Sequence, residues 1–148
     1  MEKETQHAIH ALVVDDQAIG RDILMEMLHL FDVKVNVADS GHEALREYDL
    51  RDFNVIFLDI KMPEMDGLEV AREIRRREIE SGKTPVILVA YSADIFVDNE
   101  HQVAEHDLKK FETHGFDYCM PKPIKKRDVE VFLNTFPHIK HTIEEGGY

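Results

Sequence analysis

One cysteine, Cys119, and no tryptophan occur in this chain of 148 residues. A lone thiol excludes an internal disulfide and suits a reducing compartment. Long apolar runs are missing too. None approaches the ~20 residues of a membrane helix, and Met1-Glu2-Lys3-Glu4 begins no signal peptide. The expectation is a soluble, cytoplasmic protein. Basic residues are scarce, 18 against 30 acidic, for a formal charge of -12. That deficit argues against sequence-independent DNA binding, which depends on phosphate neutralisation by Lys and Arg. The basic cluster Arg72, Arg75, Arg76 and Arg77 is interleaved with Glu69, Glu73, Glu78 and Glu80. It reads as a solvated helix face of mixed charge. The nine histidines form no metal motif: His101 and His106, like His138 and His141, lack supporting cysteines.

What is present is enough for one domain. A hydrophobic content of 43% fits a globular chain of this length. Apolar runs alternate strictly with amphipathic stretches. Strands are predicted at Ala11 to Val14, Val33 to Ala38, Phe53 to Leu58, Pro85 to Ala90 and about Asp117 to Met120. In the first helix Ile19, Ile23, Met27 and Phe31 recur at four-residue spacing, the expected buried face. Ser40-Gly41-His42-Glu43 has the form of a capping box, before a helix with Ala44, Leu45 and Tyr48 inside. Asp66-Gly67-Leu68-Glu69 opens the third helix with another cap, Leu68, Ala71 and Ile74 face inward, and Gly82 stops it. The fourth runs through Ala104, Leu108 and Phe111 to Gly115; the last buries Val129, Phe132, Leu133 and Phe136.

Five strands alternating with five helices form an α/β three-layer sandwich, doubly wound with right-handed crossovers. The strand order 2-1-3-4-5, flavodoxin-like, puts strands one and three side by side at the switch point. Asp15 and Asp16 end strand one, Asp59 ends strand three, and Lys122-Pro123 follows strand five. Carboxylates gathered at one point need a hard cation, and a lysine beside them would face an incoming phosphate.

Three pieces carry a resemblance over Ala11 to Phe136: Asp15-Asp16, the run Asp59-x-x-Met62-Pro63-x-Met65-Asp66-Gly67, and Lys122-Pro123. The chain resembles the receiver domain of two-component response regulators, most of all receivers of hybrid histidine kinases. The resemblance implies that Asp59 accepts a phosphoryl group from a phosphohistidine on a histidine kinase or histidine phosphotransfer protein. It implies Mg²⁺ bound by Asp16, Asp59 and the backbone carbonyl of Lys61, with Asp15 acting through water. Lys122 would pair with a phosphate oxygen and Pro123 would take a cis bond, while Asp66 reads as a helix cap and Pro63 and Gly67 as turn residues. Self-catalysed transfer and autodephosphorylation follow from the same resemblance. The domain divides into a polar tail at 1–10, a receiver at 11–137 and a second tail at 138–148.

The pattern departs from the family at the switch pair. Receivers carry Thr or Ser at the end of strand four and an aromatic in strand five. Counting from Pro85 puts Ala90 at the first position, where its backbone would face the phosphate; counting back from Lys122 puts Cys119 at the second. Ser92, two residues on, points the same way as Ala90 and would supply the hydroxyl, while Tyr91 or Tyr118 would replace the ring. The alternative is a weaker readout of phosphorylation. The segment 92–100 is longer than receivers need, and its Ile95, Phe96 and Val97 suit a partner contact, a lid or core packing. A receiver-like interaction module without phosphorylation is the second function class. A flavodoxin-like electron carrier is excluded because Asp15-Asp16-Gln17-Ala18 stands where a phosphate loop would be. An Asp-dependent hydrolase would need a cap domain. No DNA-binding helix-turn-helix is expected after Phe136, so the chain is a stand-alone regulator, a relay intermediate or a hybrid-kinase receiver. A homodimer would use the helix 4/strand 5 face.

Overall fold

A computed structural model describes residues 9–95 and 103–136. In chain order the elements are β1 (His10–Val14), α1 (Ala18–Leu30), β2 (Lys34–Ala38), α2 (Gly41–Leu50) and β3 (Val55–Asp59). They continue with α3 (Gly67–Ser81), β4 (Ile87–Ser92), α4 (Glu105–Thr113), β5 (Tyr118–Pro121) and α5 (Lys126–Thr135). All strand pairs are parallel and the sheet order is β2-β1-β3-β4-β5. Both the fold class and the strand order agree with the sequence reading.

Every residue of β3 is buried, because helices cover both faces of the sheet. Strand side chains alternate between two apolar layers. Leu12, Val14, Ile56, Leu58, Leu88 and Ala90 face one. Ala11, Val13, Val55, Phe57, Val89 and Tyr91 face the other, against α1 and α5. Val129, Phe132 and Leu133 of α5 are buried as expected, and Ala44, Leu45 and Tyr48 of α2 likewise.

Local capping chemistry sets the helix ends. Asp66 and Glu69 form a reciprocal box, with Glu69 N donating to Asp66 Oδ1 at 2.9 Å and Asp66 N to Glu69 Oε1 at 3.1 Å. Gly82 ends α3 in the left-handed conformation at φ 74°. At α2 the box is partial. Ser40 Oγ accepts from Glu43 N at 3.1 Å, but the Glu43 carboxylate turns to Asp39 N at 2.7 Å.

Four sequence expectations need correction. Ile19 and Ile23 of α1 are exposed at 78% and 45%, while Leu24 and Leu28 are buried. Four residues advance a helix by more than one full turn, so a strict four-residue stripe drifts around the axis; here it starts in solvent and winds toward the core. In α4 Leu108 is exposed, and Asp107 and Phe111 face inward, where the Phe111 and Phe116 rings meet edge to face at 5.8 Å. Arg75 and Glu78 do not belong to the solvated face of α3. Arg75 Nη1 binds both Glu78 oxygens at 2.9 and 3.1 Å and Val86 O at 2.8 Å. Its Nε binds Gly115 O at 3.0 Å and its Nη2 binds Asp117 Oδ2 at 2.8 Å, so one guanidinium clasps α3 to the bases of β4 and β5.

The fourth correction bears on function. The sheet ladder of β4 starts two residues later than predicted and ends two later. Pro85 has no N–H, and Val86 N donates to Glu78 Oε2 at 2.7 Å instead of to the sheet. Ile87 N makes the first bond, to Asn54 O, and Tyr91 and Ser92 become strand residues. Beyond them Ile95 is buried in the core, whereas Phe96 and Val97 lie outside the described residues. Among the described residues no helix is long and apolar enough to cross a membrane.

Candidate functional site

The β1–β3 register pairs Val14 with Leu58, so Asp15 and Asp59 leave the same end of the sheet side by side. Carboxylate oxygens of Asp15, Asp16 and Asp59 all lie within 4.8 Å of one another. Asp15 is fully buried and Asp59 is 4% exposed, while Asp16 stands in solvent at the mouth. Asp15 N donates to Ala38 O at 3.1 Å, and Asp15 Oδ1 accepts Gln17 N at 2.9 Å. Those bonds turn the chain sharply into α1.

Lys122 arrives from the far side. Its backbone N donates to Ser92 O at 3.0 Å, and the Lys122–Pro123 peptide is cis, as the sequence reading expected. Its Nζ lies 3.2 Å from Asp59 Oδ1 and 3.3 Å from Asp15 Oδ2. Among the described residues Lys122 is the cation in contact with these carboxylates, and Arg21 Nη1 donates to the Asp15 backbone carbonyl at 2.9 Å. Burial pushes the Asp59 carboxyl up to about 7; Lys122 opposes that shift and the Asp15 charge adds to it. A buried acid held this far above its ordinary range beside two others fits a site built for a hard cation with oxygen ligands, as Mg²⁺ is.

The remaining candidates occupy distinct places. Ala90 lies beside Leu58 on one side and Cys119 on the other, so the two switch positions are lateral neighbours inside one apolar layer. Burial, with Asp107 nearby, pushes the Cys119 thiol up to about 11. Ser92 is 3% exposed and its Oγ accepts Asp94 N at 3.2 Å. Lys61 follows β3, and its ammonium pairs with Asp94 at the mouth. Tyr118 packs on the opposite layer, its ring 5.3 Å from Phe132 and 5.7 Å from Phe136.

Gly20 escaped the sequence reading, and Tyr91, expected there only as a stand-in for the missing ring, takes a different place. Tyr91 is the lateral partner of Asp59, and its hydroxyl lies 3.0 Å from Val14 O and 3.1 Å from Asp15 Oδ2. β4 runs past Ala90 to Ser92, which makes Tyr91 a strand residue beside Asp59. Gly20 of α1 sits so close that a Cβ would lie 2.9 Å from Asp15 Oδ2. Gly67 is similarly confined: its N–H closes the loop onto Ile60 O at 2.9 Å, and a Cβ there would meet the Asp59 carbonyl oxygen at 2.5 Å.

Comparison with known proteins agrees with this arrangement. The family model for the response regulator receiver domain matches residues 11–134. Hybrid signal transduction histidine kinase L of Dictyostelium discoideum is 34% identical over 128 residues, 84% of this chain but 7% of the kinase. Hybrid signal transduction histidine kinase E of the same organism is 42% identical over 91 residues, 61% of this chain and 5% of that protein. The chain therefore spans a small fraction of these relatives. Among solved structures, it superposes on a chain of the Saccharomyces cerevisiae complex between the histidine phosphotransfer protein Ypd1 and the receiver domain of its response regulator Ssk1. That match has TM-score 0.76 and 24% identity, covering 90% of this chain and 91% of the other. The response regulator TrrA of Thermotoga maritima, in complex with Mg²⁺ and BeF, matches at TM-score 0.67 and 24% identity, covering 86% and 97%. Carboxylates, lysine and sheet order converge with the family match: this chain belongs to the response regulator receiver domains of two-component and phosphorelay systems.

Proposed function

We propose that Asp59 is the phosphoacceptor of this receiver. The observation that carries the reading is the position of its carboxylate, within 3.2 Å of Lys122 Nζ and beside Asp15 and Asp16. An Asp59 oxygen attacks the phosphorus of a phosphohistidine on a histidine kinase or histidine phosphotransfer protein. The P–N bond breaks as the O–P bond forms, and the imidazole leaves with its electron pair. Asp16, Asp59 and the Lys61 backbone carbonyl would hold Mg²⁺, with Asp15 acting through water; the ion when bound offsets repulsion between anionic nucleophile and anionic phosphoryl group. Lys122 would take a phosphate oxygen, with the Ser92 hydroxyl and the Ala90 backbone as the further proposed phosphate contacts. Water later hydrolyses the acyl phosphate.

The exposed Ile19 and Ile23 sit on α1, which follows Asp15 and Asp16, and would offer the phosphodonor an apolar contact beside the acids. A homodimer through the α4/β5 face would bury the exposed Leu108. The free, buried Cys119 suits the cytoplasm. The sequence reading puts the receiver at 11–137 between tails at 1–10 and 138–148, yet Ile9 is buried and His10 opens β1, so the folded domain includes both. Intact-mass spectrometry after treatment with acetyl phosphate and Mg²⁺ tests the central claim: wild type gains one phosphoryl group and Asp59→Asn gains none.

One observation favours a second reading, a receiver-like module that signals without phosphorylation. Ala90 and Cys119 are apolar neighbours locked in the core, where the family's switch would move. Absence of phosphoryl mass on wild type, or a mass gain surviving Asp59→Asn, selects it.

A further inference from the structure

We propose that Tyr91 is a positioning residue for the site: its hydroxyl fixes Asp15 and its ring seats Lys122, and Mg²⁺ affinity depends on that grip. The inference rests on the reading of the acids as a Mg²⁺ site. Tyr91 is 1% exposed and pairs laterally with Asp59 at the end of β4. Its single hydroxyl proton has two acceptors in reach, Val14 O at 3.0 Å and Asp15 Oδ2 at 3.1 Å. A bond to an ionised carboxylate is the stronger of such a pair. Burial and the charges of Asp15 and Asp59 push the phenol upward, which keeps that proton in place.

The rest of the enclosure makes the tyrosine decisive. Asp15 Oδ1 is committed to Gln17 N. Asp15 Oδ2 is bounded by Lys122 Nζ at 3.3 Å, by the Tyr91 hydroxyl, and by Gly20, where a Cβ would stand 2.9 Å away. The Lys122 ammonium also lies 4.8 Å over the Tyr91 ring, within cation–π range. One side chain therefore sets both the orientation of a buried acid and the seat of the lysine opposite. A phenol engaged this way has no second proton to give an arriving phosphoryl group. Its part is to hold the acids in register, and groups behind a metal's ligands typically change affinity ~10–100-fold when lost.

Isothermal titration of Mg²⁺ into the full chain, without phosphodonor, tests this with the substitution Tyr91→Phe, which removes one oxygen and leaves the ring. The expected result is affinity weakened by ~10-fold, with far-UV circular dichroism unchanged. A second measurement needs no substitution. In wild-type protein with ¹³C-labelled tyrosine, the hydroxyl-bearing carbon of Tyr91 shifts along the Mg²⁺ titration, while those of Tyr48 and Tyr118 stay still. Equal affinity in Tyr91→Phe, or a Tyr91 signal that ignores bound Mg²⁺, overturns the tyrosine's role and leaves the acids as the site. Wild-type protein that takes up no Mg²⁺ overturns both.

Discussion

Replacing the buried Asp59 by asparagine should stabilise the Mg²⁺-free protein at about pH 8, an unusual outcome for a substitution in a well-formed site. The folded state holds this carboxyl at about 7 against an ordinary 3.8. A raised acid pKa means that the native state binds its proton more tightly than the unfolded chain. Stability is therefore fully present below about pH 4, falls as pH rises between the unfolded and folded values, and levels off above about pH 7. About three pH units at ~1.4 kcal/mol each set a ceiling of about 4 kcal/mol for the burden of the ionised form. Water at the exposed Asp16 side and relaxation of the carboxylates screen part of it, so Asp59→Asn should gain about 2 kcal/mol at about pH 8. The gain should vanish toward about pH 4, where wild type is already neutral at this atom. Urea unfolding across that pH range, followed by circular dichroism, measures the difference. Mg²⁺ should then raise wild-type stability through binding to the folded state alone, by about 2.7 kcal/mol at a hundred times its Kd, and raise Asp59→Asn much less. A variant no more stable than wild type at about pH 8, or a pH-independent gain, would refute the argument.

Gly67→Ala drives a methyl group into the Asp59 carbonyl oxygen at 2.5 Å, and calorimetry should show a loss of about 1–3 kcal/mol. Arg75→Met leaves the 5% exposed Glu78 without its guanidinium. Chemical denaturation should report a loss of about 3–5 kcal/mol, and adding Glu78→Gln should recover part of it, a non-additivity that a double-mutant cycle detects. Tyr48→Phe removes a buried hydroxyl that has no hydrogen-bond partner among the described residues, so thermal unfolding should show a neutral to stabilising change of up to about 1 kcal/mol.

Local patterns in the chain were sufficient for much of this protein. Alternating apolar runs named all five strands, and the capping pair Asp66 and Glu69 opened α3 as read. Acids and a lysine at strand ends marked the site before any coordinate, since parallel strands of a doubly wound sheet deliver their ends to one edge. The far end of β4 was beyond that reading. The strand runs on past Ala90, so Tyr91 is held beside Asp59, while at its start Glu78 on α3 takes the Val86 N–H. The face of α1 was read wrongly, because a four-residue stripe winds around the helix and the packed layers select Leu24 and Leu28 over Ile19 and Ile23. Periodicity along a chain records which residues want burial; which atoms end within 3 Å of each other is settled by contacts between elements that the linear order does not encode.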